Sequence, residues 1–255
     1  MSLRVTMLGS GTSSGVPVIG CECGVCTSDN PKNQRFRAGL KLEVDDRVLL
    51  VDTPTDLRQQ ALRFGLPRID AILFTHAHAD HIFGLDDVRI FNFRQRSSIP
   101  CYGSATTLGA LRRTFAYVFE PTEWGGGKPK LDLIEIDGAL ELFDHEIVPV
   151  PVLHGDLPVY GYRLGAFAYV TDCSHIPGES LKLLSGLDVL VLGALRYREH
   201  PTHFSISQAI EVASRIGAER TFLTHLAHEV DHDRPQVELP SSVAFGYDGL
   251  VFELA

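Results

Sequence analysis

Apolar and polar residues alternate from Leu3 to Leu8, and the alternation stops at Gly9-Ser10-Gly11-Thr12-Ser13-Ser14-Gly15. Side chains point to opposite faces along a strand, so a period of two predicts an opening β-strand that runs into a glycine-rich loop. Leu40 to Val44 and Val48 to Val51 repeat the pattern around Asp45-Asp46-Arg47, which predicts a hairpin with Asp52 at the end of its second strand. Further strands are expected at Asp70 to Phe74, Ile99 to Tyr102, Leu131 to Ile136, Glu146 to Val152, Val159 to Leu164, Phe167 to Thr171, Val189 to Leu192 and Thr221 to Thr224. Helical spacing takes over at Leu57, Ala61, Leu62 and Phe64, after Pro54-Thr55, and at Leu108, Leu111 and Phe115, after a capping Ser104. A short helix is expected at Leu181 to Leu184, and Ser205-Ile206-Ser207-Gln208 is a capping-box pattern that opens a helix to about Ile216. Two strand-rich halves, each followed by helices, fit sheet packed on sheet with helices outside.

Composition narrows this picture little and charge narrows it more. At 255 residues the expected organisation is one domain over residues 1–255, and 44% hydrophobic with 22% charged residues is ordinary globular composition. Lys+Arg 23 against Asp+Glu 32 gives a net charge of −9, with a pI near 5.6. Such a surface repels a polyphosphate backbone, so no large nucleic-acid partner is expected. The start, Met1-Ser2-Leu3-Arg4-Val5, lacks a charged segment followed by a long apolar one, and no apolar run reaches the length of a membrane span. A cytoplasmic protein with no membrane partner is the expectation; a homodimer stays open. Of five cysteines, Cys21, Cys23 and Cys26 crowd together, and in a reducing compartment that spacing points to metal before disulfides.

The densest chemistry is His76-Ala77-His78-Ala79-Asp80-His81, three imidazoles and a carboxylate directly after a predicted buried strand. Imidazole and carboxylate suit zinc, and manganese or iron can use them too. His154, Asp172 and His225 each follow a predicted strand, and strand ends converge on one rim of a sheet, which is where a site needing more donors would find them. Cys21-x-Cys23-x-x-Cys26 offers three thiolates, and a structural zinc needs a fourth ligand; His228, three residues beyond His225, is the best candidate.

H-x-H-x-D-H followed by a later His, Asp and His resembles the metallo-β-lactamase superfamily, over Leu3 to about His228. The likeness implies a four-layer αββα sandwich (α/β class) with two divalent metal ions, manganese or zinc, at one edge of the sheets. Carried over, His76, His78 and His154 hold one metal, Asp80, His81 and His225 the other, and Asp172 bridges both. Gly15-Val16-Pro17 before the cysteines, with His228 after His225, is similar to the phosphodiesterases of the carbon–phosphorus lyase group, which degrades phosphonates; there the cysteine cluster holds one structural zinc. His203, in His200-Pro201-Thr202-His203, matches an additional histidine of that group near the scissile phosphate, where a cation stabilises developing charge or protonates the leaving oxygen.

What the resemblance implies is a hydrolase in which two cations roughly 3.5–4 Å apart acidify a water that attacks phosphorus in line. His203 and Asp80 are its candidate catalytic residues, and a small cyclic phosphodiester is the expected substrate. Three rivals are tRNA 3′-end processing, a non-hydrolytic role in cofactor biosynthesis, and a purely structural zinc module. The glycine-rich loop lacks the Gly-Lys-Ser/Thr of a P-loop and reads as a tight turn near the site. The stretch 121–129 reads either as a lid or as a plain surface loop. His145, His175, His200 and His232 carry no assigned role.

Overall fold

A computed structural model describes residues 2–121 and 127–254. The lid reading of 121–129 falls mainly on residues 122–126 and lies outside the described residues. The first half of the chain contributes β1 (Leu3–Gly9), β2 (Gly39–Val44), β3 (Arg47–Val51), α1 (Leu57–Phe64), β4 (Ala71–Leu73), α2 (Ala79–Ile82), α3 (Arg89–Gln95), β5 (Ile99–Gly103), α4 (Ala105–Thr114), α5 (Ala116–Phe119) and β6 (Leu131–Glu135). The second contributes β7 (Leu140–Leu142), β8 (His145–His154), β9 (Leu157–Leu164), β10 (Phe167–Val170), α6 (Gly178–Leu183), β11 (Val189–Gly193), α7 (Ile206–Ile216), β12 (Arg220–Thr224), β13 (Val243–Phe245) and β14 (Val251–Leu254).

Two seven-stranded sheets result, ordered β14-β1-β2-β3-β4-β5-β6 and β13-β12-β11-β10-β9-β8-β7. In each, one half is antiparallel and the other parallel: β3 to β6 in the first sheet, β10 to β13 in the second. The period of two decides which residue meets which layer. Phe167 and Tyr169 of β10, with Val189 and Val191 of β11, face the opposite sheet, where they pack with Leu3, Leu40, Val51 and Leu73. Their neighbours Ala168, Val170, Leu190 and Leu192 turn outward onto Ile206, Ala209 and Ala213 of α7. The outer face of the first sheet packs in the same way on Leu57, Phe91, Leu108 and Leu111 of its helices. The layers are therefore helix, sheet, sheet, helix, the αββα sandwich expected from the sequence. Among the described residues no helix is long and apolar enough to cross a membrane.

The predicted capping box forms at α7: the Ser205 hydroxyl accepts from the Gln208 N–H, and the Gln208 side chain accepts from the Ser205 N–H. Two differences from the sequence reading stand out. Residues 79–95 fold into α2, a 3-10 turn at Leu85–Val88 and α3, pieces too short and too interrupted at Gly84 to show a helical period. Gly84 sits where a Cβ would lie 2.1 Å from the Pro54 carbonyl oxygen, so only glycine lets this segment close on α1. The strands β7, β13 and β14 are three or four residues long, and β14 completes the first sheet by pairing antiparallel with β1.

Candidate metal centre

The parallel halves of both sheets end on the same rim, and the candidate donors leave the strands there. Open α/β sheets present ligand-binding groups at the carboxyl ends of their strands because the loops that follow converge. Asp52 follows β3, residues 75–81 follow β4, Asp172 follows β10 and His225 follows β12, while His154 is the last residue of β8. Three of these turn outward by an unusual route. Asp52, Asp172 and His225 have φ of 65°, 47° and 61°, the left-handed region that side chains other than glycine seldom adopt. Strain of this kind persists only where the surroundings hold it, and it collects at functional sites. Gly193, at the end of β11, leaves room for one of these turns, since a Cβ there would sit 3.0 Å from the Asp172 N–H nitrogen.

Two groups of donors form, each with its candidate atoms within 4.8 Å of one another: His76, His78, His154 and Asp172, and Asp80, His81, Asp172 and His225. Asp172 belongs to both. Its Oδ2 lies 3.7 Å from His76 Nε2, and its Oδ1 lies 3.4 Å from His81 Nε2 and 3.3 Å from His225 Nε2. Asp80 Oδ2 is 3.4 Å from both His81 Nε2 and His225 Nε2. Donors that share a tetrahedral ion at 2.0–2.2 Å stand about 3.4 Å apart, so these separations fit a cation and are long for direct hydrogen bonds. His81 Nε2 is buried and has no hydrogen-bond partner, as expected of an atom whose lone pair serves a metal. The residues present therefore fit divalent cations.

One buried carboxylate, not singled out in the sequence, sets the tautomers of two histidines. Asp52 is fully buried and accepts from the Thr75 N–H at 2.9 Å, the Thr75 hydroxyl at 2.8 Å and His81 Nδ1 at 2.7 Å. Because the Thr75 hydroxyl donates to Asp52, it accepts from His76 Nδ1 at 3.0 Å. Both Nδ1 atoms then carry the proton, and both Nε2 lone pairs point into the donor groups. His154 is fixed likewise, with Nδ1 donating to the Thr202 carbonyl at 2.7 Å. The only signal for Asp52 in the sequence was its place at a strand end before Thr53-Pro54, and many aspartates share it.

The rim groups shift one another strongly: burial lowers His81, but Asp172 and Asp52 outweigh it and raise the ring well above the usual histidine value, so a divalent cation would take the place of the Nε2 proton. Burial raises the Asp172 carboxyl, but the nearby His225 and His81 outweigh it and hold the group well below the usual carboxylate range. Asp80 behaves alike: burial pushes upward, and the close imidazoles of His225 and His81 bring it down. Burial lowers His76 well below the usual histidine value, with neighbouring His81 adding to the effect. Burial also takes His203 down to about 3, reinforced by His225, which favours the neutral ring until a negative charge arrives beside it. Its ring lies 4.5 Å from that of His154 and stacks on His225 at 4.9 Å, one imidazole from each donor group.

The second cluster is built from loops. Cys21, Cys23, Cys26 and His228 bring their donor atoms within 4.8 Å, with His228 Nδ1 3.3 Å from Cys21 Sγ and 3.4 Å from Cys23 Sγ. The Cys26 N–H bonded to Cys23 Sγ is the main reason the Cys23 thiol drops to about 6, whereas burial lifts Cys26 to about 11. A thiol that ionises near neutrality is ready to ligate, and four donors close a tetrahedron, so this cluster also fits a metal. Cys101 and Cys173 are buried, apart from both clusters. The glycine-rich loop does reach the rim: Gly11 bridges Leu226, next to His225, and the Thr12 N–H donates to the Leu226 carbonyl. Asp248, also unremarked in the sequence, anchors this loop by accepting from the Ser10 N–H and hydroxyl and the Phe36 N–H. His145 pairs with Asp45 and His232 packs on Tyr247, while His200 stands 5.2 Å from His203, ring to ring.

A four-layer sandwich with paired histidine–aspartate donor groups on one rim is the architecture of the metallo-β-lactamase fold. The family model described as "Beta-lactamase superfamily domain" matches residues 47–226, and the chain belongs to this superfamily, where it resembles the PhnP family. A solved structure described as a new diphosphatase from the PhnP family superposes with a TM-score of 0.93 at 41% identity, covering 100% of this chain and 98% of that one. Zinc-bound PqqB from Methylobacterium extorquens shares the fold, with a TM-score of 0.80 at 19% identity over 98% of this chain and 100% of that one. An octanoyltransferase from Porphyromonas gingivalis is 38% identical over 253 residues, 97% of this chain and 51% of that protein. The chain thus spans about half the length of that relative.

Proposed function

We propose that this protein hydrolyses a small, singly charged phosphodiester, such as a ribose 1,2-cyclic phosphate or a 2′,3′-cyclic nucleotide, at the rim built around Asp172. The observation that carries the reading is the sharing of Asp172 between two donor groups, with the His203 ring lying against one imidazole of each. Two divalent cations, manganese or zinc, bound by His76, His78, His154, Asp172, Asp80, His81 and His225 supply Lewis acidity and lower the pKa of a water at the site. A third, structural zinc belongs to Cys21, Cys23, Cys26 and His228.

The chain's own groups do the rest. Asp52 and Thr75 hold His76 and His81 in one tautomer, so the donor set is arranged before substrate arrives and costs no reorganisation later. Asp80, ionised by its histidine neighbours, orients the second group. Arrival of an anionic phosphodiester beside His203 offsets the burial that keeps its ring neutral, because a nearby negative charge favours the protonated form. Protonated in that way, His203 donates to the departing alkoxide as general acid. His78 is exposed and opens the rim to solvent, which gives a small substrate access.

Metal-reconstituted protein should turn over a cyclic or aryl phosphodiester. Rapid cleavage of an octanoyl thioester or a lactam, with every diester inert, would overturn the reading. Diphosphate hydrolysis is a second reading, favoured by the 41% identical neighbour described as a diphosphatase. The two separate in one assay: release of inorganic phosphate from a diphosphate linkage at a higher kcat/KM than any diester selects the second.

A further inference from the structure

Outside the rim, an open apolar groove of about 220 Å³ runs between α1 and α3. Its floor is Leu57, Leu66 and Phe91, all buried, and its walls carry Leu62 and Ile90, which are 67% and 50% exposed. Leucine and isoleucine held half open to water on facing helices cost hydration free energy that a partner would recover. The volume is below the roughly 300–1,000 Å³ of small-molecule sites, and matches a few anchor side chains better than a whole ligand.

Charge says what the partner carries. Arg58 stands on the α1 wall and Arg94 on the α3 wall, and among the described residues neither has a carboxylate within ion-pair distance. Asp87 is the single acid lining the groove, and the adjacent Asp86 is engaged by Arg89 and Tyr117. In a chain of net charge −9, the segment 57–119 holds eight arginines against four aspartates. Unpaired guanidiniums flanking an apolar trough select an anionic rim around an apolar stripe, the pattern that an acidic amphipathic helix presents.

We infer that the α1–α3 groove is a docking site for an acidic amphipathic helix of another protein. Apolar residues at i, i+3, i+4 and i+7 enter between Leu62 and Ile90, while glutamates or aspartates on both flanks meet Arg58 and Arg94. The site is separate from the metal rim, so docking tethers the enzyme without occupying its chemistry.

The test uses a fluorescein-labelled peptide of about 20 residues, with leucine at those spacings and glutamate elsewhere, titrated by polarisation. Wild-type protein should bind it with a Kd on the order of 10–100 μM, weakening as salt rises. Leu62→Glu, and separately Arg58→Glu with Arg94→Glu, should each weaken binding at least about tenfold. Turnover of bis(p-nitrophenyl) phosphate by these variants, unchanged from wild type, checks that they fold. A peptide with lysine in place of every glutamate should not bind. The proposal is overturned if the acidic peptide does not bind, or binds both variants as it binds wild type. It is equally overturned if sedimentation shows the chain self-associating through this face, with Leu62→Glu restoring the monomer, since a second copy then fills the groove.

Discussion

The two donor clusters lie on either side of His225 to His228, a single segment that serves both, yet they are built in opposite ways. The rim cluster stands at the ends of strands, its carboxylates and most of its imidazoles are buried, and a separate residue orients each of several donors: Asp52 for His81, Thr75 for His76, the Thr202 carbonyl for His154. The cysteine cluster stands on loops, is half exposed, and has its own backbone as support, through the N–H groups of Val18 and Cys26. Three thiolates and one imidazole close a shell by themselves, whereas seven oxygen and nitrogen donors shared between two groups leave positions open. On the function proposed above, the difference is that between a clasp and a reaction site. A clasp needs only affinity, while a reaction site needs its lone pairs aimed before substrate enters.

Substitutions can break that contrast, and the largest effect should come from Asp172→Ala. Removing the carboxylate common to both groups should lower turnover on the order of 10³-fold or more and take metal content, read by elemental analysis, from about three equivalents to about one. His203→Ala should retain all metal equivalents while kcat falls by about 10²–10⁴-fold; full activity in this variant would remove His203 from the mechanism. Asp52→Asn tolerates the left-handed backbone but cannot accept from His81 and Thr75 together as the carboxylate does. Chelator competition should show a loss of about 10–100-fold in rim metal affinity, with the zinc of the cysteine cluster unmoved. Cys23→Ser should give the converse: one zinc equivalent lost, a Tm lower by roughly 5–10 °C, and rim metals kept in whatever fraction stays folded. The smallest effect is expected at the exposed Arg198–Glu229 pair, which links the His203 loop to the His228 segment. Arg198→Ala should leave the Tm and the metal content of both clusters as in wild type, unless the two clusters are coupled through that contact.

Much of the fold was legible because its strands are long enough to show a period. β1, β2, β3, β9, β10 and β12 fall within a residue or two of their expected places, and β8 runs two residues further than expected, to include His154 itself. The elements that escaped were short: β7, β13 and β14, and the broken helical run from Ala79 to Gln95. Three or four residues carry too little pattern to distinguish a strand from a turn. The donors were legible for a different reason, since histidine and cysteine are uncommon and each stood in a dense motif or at a strand end. Asp52 and Asp248 were not, because buried aspartates that brace a site look in sequence like aspartates that cap or solvate a loop.

What the sequence determined by itself was the donor chemistry and the two periods, 2.0 and 3.6, that sort residues into layers. Tertiary structure decided which donors meet. It carried His228 across 207 residues to Cys21 and placed Asp52 against His81 at a separation of 29. It also held Asp52, Asp172 and His225 in a left-handed backbone that residues other than glycine seldom adopt. The physical reason is that local sequence fixes only the preferences of each short segment. The convergence of strand ends, the sharing of Asp172 and the strain held at the rim exist only once two sheets have packed and their combined burial outweighs those local costs.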